Sequence, residues 1–234
     1  LVNSILWHFF RHTDRAPYVV FGGGVLAAAI VVGYGYLRLH ELPKEMGPPR
    51  PVGIVQPDTR PDQKWEPGRR AAIVGELTKL TGKLSEDFKK MSHPVPPLIV
   101  WPEAAAPFVY SEEPGWQKRL AGLARRTKSH ILFGSLSAKR EGEALHLYNS
   151  AYLLGPGGEN EGRYDKMHLV PFGEYVPLKW LLFFVEKFVP VIGRFEGGEE
   201  ARIFDVPGGR FGVLICFEVI FPRVVRQMSK AGFL

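Results

Sequence analysis

The sequence predicts an α/β layered domain around a mixed sheet, preceded by a transmembrane helix. Three observations predict it. An uncharged apolar run extends from Ala16 to Leu37, strands and amphipathic helices alternate as βαβαβ from Val52 to Leu136, and further short apolar strands follow, separated by glycine- and proline-rich turns.

The run APYVVFGGGVLAAAIVVGYGYL is long enough for a bilayer, since about 20 apolar residues let a helix cross the hydrocarbon layer. A core helix and a signal peptide are the bland alternatives. The run is long for a signal-peptide core and no small-residue cleavage site follows it cleanly, so a transmembrane helix over residues 16–38 is expected. Residues 1–15 read as the end of a preceding membrane segment or loop. Arg11 and Arg15 precede the helix while Arg38, Lys44 and Arg50 follow it, so local charge leaves the orientation undecided. A proline-rich linker occupies residues 39–50, and the α/β domain runs over 51–234.

Within that domain Val52 to Val55 reads as the first strand. Ile73, Leu77, Leu80, Leu84 and Phe88 recur at steps of three or four, which places one apolar face on a helix between Gly68 and Met91. Leu98 to Trp101 is a buried strand, Trp116 to Lys128 a second amphipathic helix, and Ile131 to Leu136 another strand. Tyr148 to Leu154 follows and ends at the turn GPGG. A hairpin then joins Arg202–Val206 to Phe211–Cys216 through Pro207-Gly208-Gly209, and a helix starts at Pro222. The chain opens at Leu1 and closes on Ala231-Gly232-Phe233-Leu234, where a new apolar strand begins, so it reads as a fragment at both ends.

Composition narrows the function. With 234 residues, 45% of them hydrophobic and 23% charged, the chain can build one good-sized core, which argues against disorder. The net charge of +6 comes from lysines and arginines scattered among acids, so no nucleic-acid surface is expected, although anionic lipid is attracted in general. A single cysteine excludes an internal disulfide and a thiolate zinc cluster, leaving inert core or a reactive thiol.

Three residues carry the chemistry. Cys216 closes the apolar segment FGVLIC at a strand-to-helix turn, where a nucleophile is exposed and the N–H of Phe217 faces a developing oxyanion; taken alone, a free cysteine at the end of an apolar run is usually buried packing. Glu103 follows strand LIVW in WPEAAAPF, where a carboxylate is suited to proton transfer, with a helix cap or a surface acid as the plain alternative. Lys166 lies in RYDKMHLVPFGEYVP, which reads as an ordered loop; a solvated lysine paired with Asp165 is its alternative. Together they make a working set: the carboxylate accepts the thiol proton, and the ammonium favours thiolate and stabilises a tetrahedral oxyanion.

The order Glu, Lys, Cys, in the segments WPE, YDKMHLVPFGE and GVLICFE, resembles the nitrilase superfamily, whose members use a Glu-Lys-Cys triad in that order. The resemblance covers Pro51 to Leu234 and implies a nitrilase-like αββα layered domain, incomplete at its C-terminus. Within the superfamily, IVQPDTRPDQKW, LVPFGEYVP and the upstream span resemble the apolipoprotein N-acyltransferases of bacterial inner membranes. That resemblance implies transfer of a fatty acyl chain from a phospholipid, through a cysteine thioester, to the N-terminal amine of a diacylglyceryl-modified apolipoprotein. It places Trp65 near the acyl-chain entrance and Glu174 and Glu218 as supports of the triad, against plain readings as a surface tryptophan and exposed acids. Phe217 stands where these acyltransferases often have tyrosine, which keeps the backbone N–H and removes a phenol. His168 fits no role in the motif and reads as structural.

The implied enzyme is a monomer that uses no metal or organic cofactor and works at the bilayer. It lies in the inner membrane, with several spans in the full-length protein and the catalytic domain periplasmic. An anchored amidase, with water resolving the thioester, is the second reading. A non-catalytic tethered binding module is the third, and the intact triad argues against it.

Overall fold

The structure is a computed structural model that describes residues 16–41, 50–60, 64–66, 68–142, 144–171, 174 and 195–230. The chain divides into two compact units, one holding the first helix and the other everything from the first strand onward. Residues 1–15, most of the linker (42–49) and most of the stretch after Glu174 lie outside the described residues.

Helix α1 spans Ala16–Glu41, a few residues beyond the expected end. At 1.5 Å per residue it is about 39 Å long, enough to cross a bilayer. From Phe21 to Glu41 its mean hydropathy is 1.4, and none of that window is buried against protein.

The second unit is built on a six-stranded mixed sheet of β1 (Val52–Ile54), β2 (Leu98–Val100), β3 (Ala106–Val109), β4 (His130–Glu141), β5 (Ala144–Leu154) and β6 (Asn160–Asp165). The order is β1-β2-β4-β5-β6, with β3 also pairing β4. β1 to β4 pair in parallel, which the crossover helices α2 (Arg70–Lys89) and α3 (Pro114–Thr127) require, whereas β5 and β6 return antiparallel. A second sheet pairs β7 (Ile203–Val206) with β8 (Gly209–Gly212), and helix α4 (Pro222–Met228) follows.

Alternation along the strands gives the main sheet two apolar faces. Ile99, Ile131, Phe133, Tyr152 and Leu154 meet Ile73, Leu77, Leu120 and Leu123 of α2 and α3. On the other face Leu98, Leu132, Ala151 and Leu153 meet Phe204 and Val206 of β7 and Val224 and Met228 of α4. The layers are therefore helix, sheet, sheet, helix, as the resemblance implied.

Several strands differ from expectation: β3 and β6 are additional to those expected, and β5 begins at Ala144 rather than Tyr148. The strand read as 131–136 runs to Glu141 and pairs with β5 over its whole length; its outer part, Lys139 to Glu141, is exposed and charged, so apolar patterning cannot mark it. β8 stops at Gly212 rather than Cys216, because Val213 to Ile215 continue extended without a ladder partner among the described residues. Lys166 lies in an ordered loop, as expected. It directly follows β6, and its N–H continues the ladder to the Asn149 carbonyl at 2.9 Å.

Candidate active site

The Glu103 turn is built by three local constraints. Trp101 is buried at the end of β2 and its indole N–H donates to Thr81 of α2 at 2.9 Å. Pro102 then supplies no ladder N–H, and Ala104 at φ 45° bends the chain back toward β3. Gly134 on β4 is the floor beneath this turn: a Cβ there would lie 2.8 Å from Glu103 Cα and 2.8 Å from the Pro102 carbonyl oxygen, and closer still to the Ala104 nitrogen. The Glu103 carbonyl accepts from Lys64 Nζ at 2.6 Å, and burial holds that ammonium below the usual lysine range, with Glu103 partly opposing.

Lys166 is 1% exposed, so its ammonium depends on nearby carboxylates to offset desolvation. Nζ donates to Glu174 Oε1 at 2.9 Å and lies 3.6 Å from Glu103 Oε1. The Asn149 amide bridges the same two acids, donating to Glu103 Oε1 at 2.7 Å and to Glu174 Oε1 at 3.0 Å. Because both acids accept only, this fixes the amide orientation, and Asn149 Oδ1 is left buried without a partner. Glu174 is held in turn by the Val170 N–H on its other oxygen, at 2.9 Å. Two carboxylates thus meet the Lys166 ammonium, while the Lys64 ammonium lies against the Glu103 carbonyl.

Cys216 opens a 3-10 turn, Cys216–Ile220, at φ 53°, a left-handed conformation that non-glycine residues adopt at a cost of about 1–2 kcal/mol. Glu218, fully buried, holds that turn in place. Its Oε2 accepts from the Ile215 N–H at 2.8 Å; its Oε1 accepts from Tyr164 Oη at 2.8 Å, Met167 N–H at 2.8 Å and His168 N–H at 3.1 Å. One carboxylate therefore joins the nucleophile turn to the segment that follows Lys166. Burial first, then Glu218, pushes the Tyr164 phenol well above its ordinary range, so it remains a proton donor.

Cys216 is exposed, and it shares with Glu103 and Asn149 the wall of a cavity of about 180 Å³, closed by Leu132, Val213 and Leu214. The fold therefore gathers Glu103, Lys166 with Glu174, and Cys216 with Glu218 from three separate stretches of chain. Phe217 is partly exposed beside Cys216 and packs edge-on against Phe221. The His168 ring lies 3.8 Å from that of Phe221. Trp65 is half-buried next to Lys64 and is not part of the cavity wall. Sequence reasoning missed Asn149, Lys64, Tyr164 and Gly134. Asn149 left a signal, as a polar residue inside the apolar strand Tyr148–Leu154, and so did Gly134 within ILFGSL; nothing local marked the other two.

Residues 74–233 match the carbon-nitrogen hydrolase family. The chain belongs to that family. Among similar carbon-nitrogen hydrolase chains is the apolipoprotein N-acyltransferase of Geobacter metallireducens, 40% identical over 99% of this chain and 44% of its own length. That of Sinorhizobium fredii is 34% identical over 89% of this chain and 40% of its own. The chain thus spans less than half the length of these relatives. Among solved structures, a carbon-nitrogen hydrolase from Helicobacter pylori G27 superposes with a TM-score of 0.55 at 18% identity, over 78% of this chain and 56% of that one. An amidase from Nesterenkonia sp. AN1 in complex with butyramide superposes with a TM-score of 0.53 at 21% identity, over 80% and 63%. At these identities the likeness carries the fold alone.

Proposed function

We propose that this chain is the catalytic part of an apolipoprotein N-acyltransferase, with α1 as a transmembrane helix and residues 51–234 as an incomplete catalytic domain. The observation that carries it is the reach of the 40% identity to the Geobacter enzyme, which covers 99% of the chain and so includes the apolar helix as well as the Glu-Lys-Cys cluster.

Glu103 takes the proton from Cys216 Sγ, and the thiolate adds to the ester carbonyl of a phospholipid. Lys166 and the Phe217 N–H stabilise the oxyanion. As it collapses, the C–O bond breaks, Glu103 returns the proton to the departing lysophospholipid oxygen, and an acyl thioester remains on Cys216. The N-terminal amine of a diacylglyceryl-apolipoprotein then attacks the thioester, Glu103 accepts the ammonium proton, and the thiolate leaves and is reprotonated. Asn149 and Glu174 keep the ammonium and the base at a fixed separation, and Trp65, outside the cavity wall, is assigned to the acyl entrance by the family resemblance alone. All these groups come from one chain, in keeping with a monomer.

The reading places the protein in the bacterial inner membrane, multi-pass when complete, with the domain after Pro51 periplasmic. Reporter fusions after Pro51, one active only in the cytoplasm and one only outside, check this, and a cytoplasmic signal excludes the lipoprotein reaction. The decisive experiment is mass spectrometry of the full-length protein after incubation with phospholipid. Wild type gains one fatty-acyl mass on Cys216, while Cys216→Ala and Glu103→Gln gain none; an unlabelled wild type, or transfer by Cys216→Ala at the wild-type rate, sinks the proposal.

A further inference from the structure

A second cavity, of about 680 Å³, opens on the helix-covered face of the sheet between α3, β5 and β6. It is separate from the Cys216 cavity, with which it shares no lining residue. Three cations line it, Lys118 and Arg125 of α3 and Arg163 of β6, and no carboxylate is among its lining residues. Lys118 and Arg125 are seven residues apart, two helical turns, so both project from one side of α3. Arg163 is partly neutralised from below, where Nη2 meets Asp165 Oδ2 at 2.9 Å, while Arg125 makes only a 3.4 Å contact with the Gly157 carbonyl.

Part of the wall is a tyrosine whose hydroxyl is poorly satisfied. Tyr152 is 3% exposed, and its buried Oη makes no well-formed hydrogen bond. Ser137 and Arg163 approach that hydroxyl as weak partners, so its hydrogen bonding is incomplete rather than absent. An incomplete hydrogen bond on a buried polar atom costs up to about 1–3 kcal/mol, so a better acceptor beside this hydroxyl and Arg163 would be favoured. Gln117 and Asn160 add amide donors to the same wall.

We propose that this cavity binds a phosphate-bearing anion, with Arg125 and Lys118 meeting the phosphate oxygens and Tyr152 donating to one of them. Arginine matches phosphate through paired N–H donors and lysine as a point charge, while a neutral polar ligand would leave Lys118 and Arg125 uncompensated. The phosphate belongs either to a soluble phosphomonoester or to the headgroup of an anionic lipid, and the site is independent of the acyl-transfer reading.

Equilibrium dialysis of the full-length protein in neutral detergent tests it, using radiolabelled sn-glycerol 3-phosphate in one arm and dihexanoyl phosphatidylglycerol in the other. The expected result is saturable binding in at least one arm, which identifies the source. Binding there should weaken by about tenfold or more in Lys118→Ala and Arg125→Ala, and by a few-fold in Tyr152→Phe, in line with loss of charge-assisted and neutral hydrogen bonds. Cys216 thioester formation, measured in parallel, reports that the two surface variants and the buried Tyr152→Phe are folded. Absence of saturable binding in both arms, or binding that is equal in wild type and the Lys118→Ala/Arg125→Ala double variant, overturns the proposal.

Discussion

Gly134→Ala isolates the packing that places the proposed base. The added methyl would sit 2.8 Å from two backbone atoms of the Pro102-Glu103 turn and closer still to the Ala104 nitrogen, whereas ordinary van der Waals contact begins at 3.4 Å, so the turn must retreat by about 1.1 Å. The obstructing atoms are backbone, anchored by Trp101 to Thr81 and by Lys64 to the Glu103 carbonyl, so no side-chain rotation relieves the clash. Misplacement of a reacting group by about 1 Å costs on the order of 100-fold, and a shift of this size predicts a loss of about 10- to 100-fold in thioester formation, or about 1.4–2.7 kcal/mol of barrier. Overpacking should lower stability by about 1–3 kcal/mol, which leaves the domain folded. Single-turnover mass spectrometry on Cys216 gives the rate, and circular dichroism gives the melting temperature. A Gly134→Ala protein that forms thioester at the wild-type rate with unchanged melting would refute the idea that Gly134 sets the position of Glu103.

Two further perturbations reach the supports. Glu218→Gln puts an amide against donors that now meet a carboxylate, so it should cost about 2–4 kcal/mol in urea denaturation and slow thioester formation by releasing the Cys216 turn; unchanged stability would detach Glu218 from that turn. His130 is buried, with Nδ1 2.7 Å from Arg50 Nη2 and Nε2 3.4 Å from Glu161 Oε1, and burial, then Arg50, lowers it to about 4. Its folded pKa lies below the ordinary 6.5, so its stabilising contribution is whole above pH 6.5 and fades as pH falls toward 4, by up to about 3 kcal/mol. Burial raises the Glu161 carboxyl, which acts in the opposite sense, so the measurement is the difference between wild type and His130→Gln. Denaturation curves at pH 7 and pH 4.5 should show a smaller acid-induced loss in His130→Gln, and equal losses would remove His130 from the account.

The sequence by itself determined the elements whose signal is local. The helix faces of α2 and α3 came from apolar spacing, the apolar helix from length and lack of charge, and the candidate triad from three motifs in a recognised order. It also pointed to Glu174 and Glu218 through their places in those motifs, while leaving open whether either was an exposed acid; Glu218 is fully buried and Glu174 nearly so. Only the tertiary structure decided what these residues touch. That Asn149 bridges two carboxylates and Lys64 holds the Glu103 carbonyl depends on strands and turns separated by 25 to 46 residues in sequence. Gly134 reads as a weakness in a strand until the Glu103 turn is laid across it. The partly open cavity beside Tyr152 is a further case, for its cations lie on a helix and on a strand that meet only once the sheet has formed. Periodicity and motif order are properties of neighbouring residues and survive in a one-dimensional reading, whereas hydrogen-bond partners and cavity walls are set by chain packing and do not.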